Sequence, residues 1–497
     1  MRSALTFDDI LLVPNKGIVD SRKDTSLTSR LTRNLTLNTP LISSNMDSVT
    51  EEDMAICLAR NGGIGIIHRF CTIDQQAKMV RKVKRAQNII IENPYAVELK
   101  DKKDKISGLM RSTGVNTLMV KENSNFVGIV NKRDIDQWEQ NEELKDIYQT
   151  KVVVSVEGLE TDVYKKIMKD NHVKKLPLVD NYNNLVGLVT LKDIENKTKY
   201  PLMNIDSKGN LIVGAAIGVT GDYIERAQAL VSEGVDVIVI DIAHGHSGLA
   251  INATKEFKRM FTSTELIVGN VCTAQGYRDL VKAGADGVKV GVGPGSVCKT
   301  RKVTGFGIPQ LQAILDIQLF KKVETKEQEE VETKEQEEVE TKEQEEVETK
   351  EIPIIADGGI RTSGDIVKAI VAGADTVMMG SMFSGTDESP GKLIDNNGKK
   401  CKVLRGMAGT FANLSKDSKL GTVNSTDPYE LTEEGVEGYT NYKGSVEPVI
   451  NKLLGGIRSG VSYAGEKHLM EIKKSVEMVQ ITNSGLAESG HHSLKLQ

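Results

Sequence analysis

A cysteine, Cys298, ends the glycine-rich stretch Gly291-Val-Gly-Pro-Gly-Ser-Val-Cys298, which continues Lys-Thr-Arg301 and follows the apolar run Gly287–Val292. Glycines let backbone approach a ligand or ion closely and turn its amides and carbonyls inward. A cysteine is most often a small core hydrophobe. At the end of such a loop it is held where a nucleophile is useful. Ile354-Ile-Ala-Asp-Gly-Gly-Ile360 and Val377-Met-Met-Gly-Ser381 repeat the pattern of an apolar run ending in glycine. Together they predict parallel strands whose loops hold a phosphorylated substrate against a reactive thiol.

The elements that must position these loops follow from periodicity. Short β-rich apolar runs alternate with amphipathic helical patterns, the mark of βα units. Strands are predicted at Pro40–Met46, Gly63–His68, Leu211–Ile217, Val235–Ile242, Glu265–Val271, Gly287–Val292, Ile352–Ala356 and Thr376–Gly380. Helices are predicted at Glu51–Asn61, Tyr223–Glu233, Ala274–Ala283 and Ser363–Ala372. That strand count closes a (β/α)8 TIM barrel, an α/β fold whose active site lies at the C-terminal strand ends. In strand order those ends supply Ser44, Asn45, Met46 and Asp47; Asp241 through Ser247; Gly269 and Asn270; the Cys298 loop; Asp357, Gly358 and Gly359; and Gly380 and Ser381. Each alone is an ordinary turn residue. Their recurrence at successive strand ends is the stronger signal.

The alternation is interrupted between residues 93 and 198. There Phe126-Val-Gly-Ile-Val-Asn-Lys-Arg-Asp-Ile135 matches Leu185-Val-Gly-Leu-Val-Thr-Leu-Lys-Asp-Ile194, each preceded by a helix-then-strand pattern. Two such units resemble a tandem CBS (Bateman) pair inserted after the second barrel strand; a generic small α/β insertion is the plainer alternative. The expected division is therefore 1–92 and 199–497 for the barrel and 93–198 for the insertion. A Val-Glu-Thr-Lys-Glu-Gln-Glu-Glu repeat occupies 323–351. Its eight-residue period keeps valine off any single helix face, so it predicts a solvated helix or disordered insert without chemistry.

The 497 residues carry a net charge of −5 and no basic run that would suggest nucleic acid. The five cysteines are scattered, without CxxC spacing, which argues against disulfides or zinc and for a reducing, cytoplasmic setting. No stretch reaches signal-peptide or membrane-spanning character.

At this point the chain resembles, almost end to end, the family of inosine-5′-monophosphate dehydrogenase and guanosine monophosphate reductase. The resemblance runs from Leu5-Thr-Phe-Asp-Asp-Ile-Leu-Leu-Val-Pro14 to Glu488-Ser-Gly-His-His492, with Gly293-Pro-Gly-Ser-Val-Cys298 and Ala356-Asp-Gly-Gly-Ile360 the most specific runs. It implies a covalent adduct between Cys298 and purine C2, with Thr300 positioning water. It implies a 5′-phosphate cradle of Ser296, Gly359, Gly380 and Ser381, ribose binding by Asp357, and substrate contacts from Met407 and Glu434, the latter at the purine N1 edge. Asp241, Asn270 and Gly291 are expected on the NAD side. Carbonyls of Gly293, Gly295 and Cys298 resemble a potassium site, completed in the family by a neighbouring subunit's Glu488, Ser489 and Gly490. A homotetramer and an adenine or guanine nucleotide on the CBS pair are further implications.

The flap, about 385–445, departs from the family pattern. The dehydrogenases carry an Arg-Tyr pair there, the arginine serving as base for hydrolysis. No arginine stands between Arg405 and Arg458; Lys416, Lys419 and Tyr429 are present but not as that pair, and Leu404 replaces the usual tyrosine. The reductases carry a glutamate shortly after Gly-Met, where this chain has Thr410. The Glu434–Gly438 and Glu488–His492 runs lean towards NAD-dependent IMP oxidation to XMP. NADPH-dependent GMP reduction and a degenerate nucleotide-binding homologue stand as alternatives.

Overall fold

The computed structural model describes residues 1–86, 91, 94–139, 143–323, 351–409 and 434–490. The Glu/Lys repeat beyond residue 323, the segment with Thr410, Lys416, Lys419 and Tyr429, and the two C-terminal histidines lie outside the described residues. The chain divides into two compact units, Met1–Lys84 with Leu202–Asp206 and Leu211–Gln497, and Arg85–Pro201 with Ser207–Asn210.

The first unit is a closed barrel of eight parallel strands. In chain order they are β1 (Leu41–Ser43), β2 (Ile64–Ile67), β3 (Gly214–Ile217), β4 (Val237–Asp241), β5 (Glu265–Val271), β6 (Gly287–Val290), β7 (Ile354–Asp357) and β8 (Thr376–Met379). All eight predicted strands are present. Closure runs through β8 pairing with β1 and β2 pairing with β3. Ile42, Ile64, Ile66, Ala216, Val237, Val239, Ile267, Ile355 and Met378 fill the interior. Removing each of the larger side chains from water contributes roughly 1.5–3 kcal/mol. Leu31 and Leu37, from the hairpin Ser29–Arg30 and Thr36–Leu37, join this core.

The strands end where the backbone must turn to build the rim. The sixth was expected to reach Val292, but Gly291 adopts φ +149° and stops it at Val290. An added Cβ there would lie 2.2 Å from the Asp357 carbonyl oxygen, so only glycine fits. Helices return between strands with caps written in the sequence. Thr273 caps Ala274–Ala283 and left-handed Gly284 ends it. Thr362 and Asp365 form a capping box on Ser363–Ala372.

The second unit shows an internal repeat. The hairpin Thr117–Glu122 with Asn125–Asn131 lies between helices Lys103–Thr113 and Lys132–Asp136. The hairpin Lys175–Val179 with Leu185–Thr190 lies between helices Thr161–Asp170 and Leu191–Lys199. Each half has its own apolar core, and Met119, Phe126, Val179 and Leu188 join the two. Strand Ala96–Glu98 runs parallel to the first hairpin, and the Ser155–Leu178 bridge runs parallel to the second.

Candidate active site

The Cys298 loop leaves β6 as predicted and is fastened from two sides. The Arg301 guanidinium folds back over Gly293, donating from Nε to the Val292 carbonyl at 2.9 Å and from Nη2 to the Ile308 carbonyl. The Cys298 amide donates to the Gly295 carbonyl at 3.1 Å. Beyond it, Glu434–Val436 runs antiparallel to the loop: Lys299 N–H donates to the Glu434 carbonyl at 2.7 Å and Val436 N–H to the Val297 carbonyl at 2.9 Å. Gly406 and Ala408 hold the other edge of that segment.

This clasp aligns three side chains. The Cys298 thiol lies 3.2 Å from Thr300 Oγ1, which donates to Glu434 Oε2 at 2.8 Å. Glu434, expected at the purine edge, has Thr300 as its partner within the chain. Nothing in the sequence separates these two roles, because Thr300 and Glu434 stand 134 positions apart.

A second cluster spans the strand ends. Lys289, on β6, is almost wholly buried, its side chain 2 % exposed. Its ammonium donates to Asp241 Oδ1 at the end of β4 and to Asp357 Oδ2 at the end of β7, the latter at 2.8 Å. Asn45 donates to the other Asp241 oxygen at 2.8 Å. Asn270, from β5, donates to Asp357 Oδ2 at 2.9 Å and to the Gly291 carbonyl at 2.8 Å. Burial alone pushes the Asp241 carboxyl up, but the Lys289 charge and hydrogen bond, the Asn45 amide and the Arg69 charge hold it below the usual carboxylate range. Burial likewise works against the Lys289 charge, and its two carboxylate partners outweigh it, raising the ammonium above the usual lysine range. Sequence reasoning missed Lys289 because Gly-Val-Lys-Val reads as plain strand; a lysine at an inward-facing strand position was the available signal.

Between β7, β8 and β1 the backbone opens. Gly358 and Gly359 both take positive φ, 85° and 80°. A Cβ on Gly380 would stand 2.9 Å from both Ser44 Oγ and Met46 Sδ. Lys443 donates to the Ser381 and Met382 carbonyls at 2.7 and 3.0 Å, tying down the loop after β8. Asp47 is clamped by Arg405, and its amide meets Met407 Sδ at 3.4 Å. Among the described residues, Ser44 Oγ, Asn270 Oδ1 and Gln310 Oε1 are buried polar atoms without a partner in the chain. Native proteins rarely leave such atoms orphaned, so water or a polar ligand is their expected partner.

The structure thus brings Cys298, Thr300 and Glu434 together, and Asp241, Asn270, Gly291 and Asp357 together. Ser296, Gly293 and Gly295 share the Cys298 loop. Glu488, Ser489 and Gly490 are exposed at the end of the helix Asn483–Glu488. That helix follows Ile481, whose amide bonds the Asp9 carbonyl at 2.8 Å. Among the described residues no group of three His, Cys, Asp or Glu side chains forms a metal centre, and no helix is long and apolar enough to cross a membrane.

The family model described as IMP dehydrogenase / GMP reductase domain matches residues 4–332 and 335–492. The inosine-5′-monophosphate dehydrogenase of Nitrosopumilus maritimus is 44 % identical over 100 % of this chain and 99 % of its own length. The GMP reductase of Leishmania major is 41 % identical over 99 % of this chain and 97 % of its own. An alanine variant of the GMP reductase of Trypanosoma brucei, solved with guanosine 5′-monophosphate, superposes with a TM-score of 0.87 at 40 % identity, covering 100 % of this chain and 99 % of that one. A matched chain, a closed parallel barrel and a cysteine loop facing a buried polar rim lead to one assignment: the chain belongs to the IMP dehydrogenase / GMP reductase family and is an oxidoreductase of that type.

Proposed function

We propose that this enzyme acts at C2 of a purine 5′-monophosphate through a covalent adduct on Cys298, and that it runs in the reducing direction, from GMP to IMP and ammonia. The observation that carries the covalent chemistry is the Cys298–Thr300–Glu434 chain, and the reducing direction rests on the lack of an arginine between Arg405 and Arg458. An ionised carboxylate only accepts, so Thr300 must donate to Glu434, leaving its oxygen to accept from the thiol. The thiol proton passes through Thr300 to Glu434 while sulfur bonds to C2 and a ring nitrogen takes the displaced electron pair. The stored proton returns through Thr300 to the exocyclic amine, the C2–N bond breaks and ammonia departs. A bound nicotinamide dinucleotide supplies the hydride that reduces C2. Cys298 then leaves as thiolate.

IMP oxidation uses the same adduct but must hydrolyse it, and the family's dehydrogenases use an arginine for that. This chain has none between Arg405 and Arg458. The Leishmania major and Trypanosoma brucei matches, which span nearly the whole chain, support the reducing direction. A second reading, NAD-dependent oxidation of IMP to XMP, is favoured by the 44 % identical dehydrogenase and by the Glu488–His492 run.

In either direction Ser296, Gly359, Gly380 and Ser381 receive the 5′-phosphate, with the orphaned Ser44 hydroxyl as an added donor. Asp357 takes the ribose, and Met407 closes over the base. Asp241, Asn270 and Gly291 face the dinucleotide. The Gly293, Gly295 and Cys298 carbonyls would hold a potassium ion, since carbonyl oxygens are the donors a hard cation takes. Glu488, Ser489 and Gly490 of a neighbour would complete that site in a homotetramer.

Purified protein given GMP with NADPH should consume NADPH and release ammonia in equal amount. NADH formation from IMP and NAD, without GMP-dependent NADPH consumption, would install the dehydrogenase reading instead.

The second unit we read as a tandem CBS pair that binds adenine or guanine nucleotides and regulates the barrel. Its two-fold repeat of helix, hairpin and helix supports this. Calorimetry on the full chain should resolve ATP or GTP binding that survives Asp357→Asn. Loss of that binding on changes confined to the barrel rim would place the nucleotide in the barrel instead.

A further inference from the structure

Lys289 has no part in the covalent chemistry, yet it is among the most completely buried large side chains in the protein. It stands between two carboxylates that belong to different halves of the site. Asp357 lies at the end of β7, beside the Gly358–Gly359 turn; Asp241 lies at the end of β4. One ammonium reaches both, and Met378 Sδ lies 3.8 Å from it. The two carboxylates and their amide partners Asn45 and Asn270 connect the ends of β1, β4, β5, β6 and β7 into one network.

Its charge count is unequal. Two carboxylates share one ammonium, so each holds less than a full counter-charge from it. Asp241 draws further on the more distant Arg69 charge. Beside the buried ammonium these partly exposed carboxylates repel one another, and the cost of ionising one falls when the other is neutralised. Whatever changes the charge of one carboxylate therefore changes how firmly Lys289 holds the other.

We propose that Lys289 is a positioning residue that couples the nucleotide side of the site to the dinucleotide side, with Asp357 and Asp241 as its two arms. This rests on the reading that Asp357 meets the nucleotide ribose and Asp241 the dinucleotide. Ligand contact at either carboxylate shifts the ammonium towards it or away from it, and the other carboxylate feels the change. Such coupling is reciprocal for binding free energies.

The test is a double-mutant cycle on nucleotide binding, read by calorimetry with GMP and with IMP, using Asp241→Asn and Asp357→Asn in the full chain. Each single change removes one partly buried negative charge and leaves Lys289 a single carboxylate partner. Asp357→Asn should weaken nucleotide binding about tenfold or more. Asp241→Asn, although it lies on the other side, should shift nucleotide affinity several-fold. The double variant should depart from the product of the single effects by at least about fivefold. Lys289→Met should abolish that non-additivity, and Lys289→Arg should retain it. Strictly additive effects in the cycle overturn the coupling, and this arm does not depend on Lys289→Met folding. If Asp357→Asn leaves nucleotide binding unchanged, the assignment of Asp357 to the ribose is at fault, which is a separate failure. If the cycle is non-additive but persists in a folded Lys289→Met variant, the coupling is real and Lys289 is not its carrier, so the proposal fails.

Discussion

Cys298→Ser is expected to reduce turnover on the order of 10⁴-fold or more, while nucleotide dissociation constants stay within a few-fold of the parent. The serine hydroxyl keeps the shape of the loop and can still donate to Thr300 Oγ1. The backbone fastening of the loop, from Gly295, Glu434 and Val297, does not involve the side chain at 298 at all. The loss is one of nucleophilicity: an alcohol is ionised far less than a thiol at neutral pH. Both directions of the reaction pass through a sulfur–C2 bond, so the loss should be equal in both. The measurement is steady-state turnover with calorimetry for binding, and mass spectrometry of the quenched parent should show the adduct on Cys298. Near-parental turnover in Cys298→Ser would remove the covalent step.

How much of this was legible in the sequence depends on the kind of interaction. The barrel was, because alternation of short apolar runs with amphipathic helices is local information, and each strand end carries its own turn residues. The Cys298 loop was legible for the same reason. Boundaries erred where a single backbone angle decided them, as at Gly291, whose φ of +149° ends β6 before the apolar run is finished. The internal repeat of the second unit was visible because both copies keep the Val-Gly hairpin pattern. The pairing of side chains across distant strands was not. Asp241 and Asp357 each read as rim residues from their own loops, yet what joins them is Lys289, a charge hidden inside a strand pattern. Glu434 was placed at the site by resemblance, with a role drawn from the substrate; its Thr300 partner becomes apparent only once Glu434–Val436 lies alongside the cysteine loop. Of the two runs that lean towards the dehydrogenase, Glu434–Gly438 carries this same glutamate, and a thiol–hydroxyl–carboxylate chain serves either direction. The direction therefore turns on the missing arginine rather than on Glu434.

Glu434→Gln is expected to lower turnover by about 10²–10³-fold and to leave nucleotide affinity within a few-fold. Glutamine preserves the volume and can still accept a hydrogen bond from Thr300 through its amide oxygen, and the backbone of Glu434 keeps its bonds to Lys299 and Ala408. What glutamine cannot do is take up and return a proton. The role expected from resemblance, contact with the purine N1 edge, makes a different prediction. Losing a carboxylate that accepts from N1–H would weaken nucleotide binding as well as turnover, so the split between affinity and turnover decides between the roles. Thr300→Val tests the same chain from its middle: it removes the hydroxyl that bridges sulfur and carboxylate while nearly keeping the shape. Because the two residues act as one proton path, the double variant should be no worse than the poorer single variant by more than about threefold. In the reducing direction this path takes the thiol proton as sulfur bonds to C2 and returns it to the leaving amine, so a rapid-quench time course with GMP should show both slower adduct formation on Cys298 and slower ammonia release. If the two losses multiply in full, Thr300 and Glu434 work independently. The proton leaving Cys298 would then need another route.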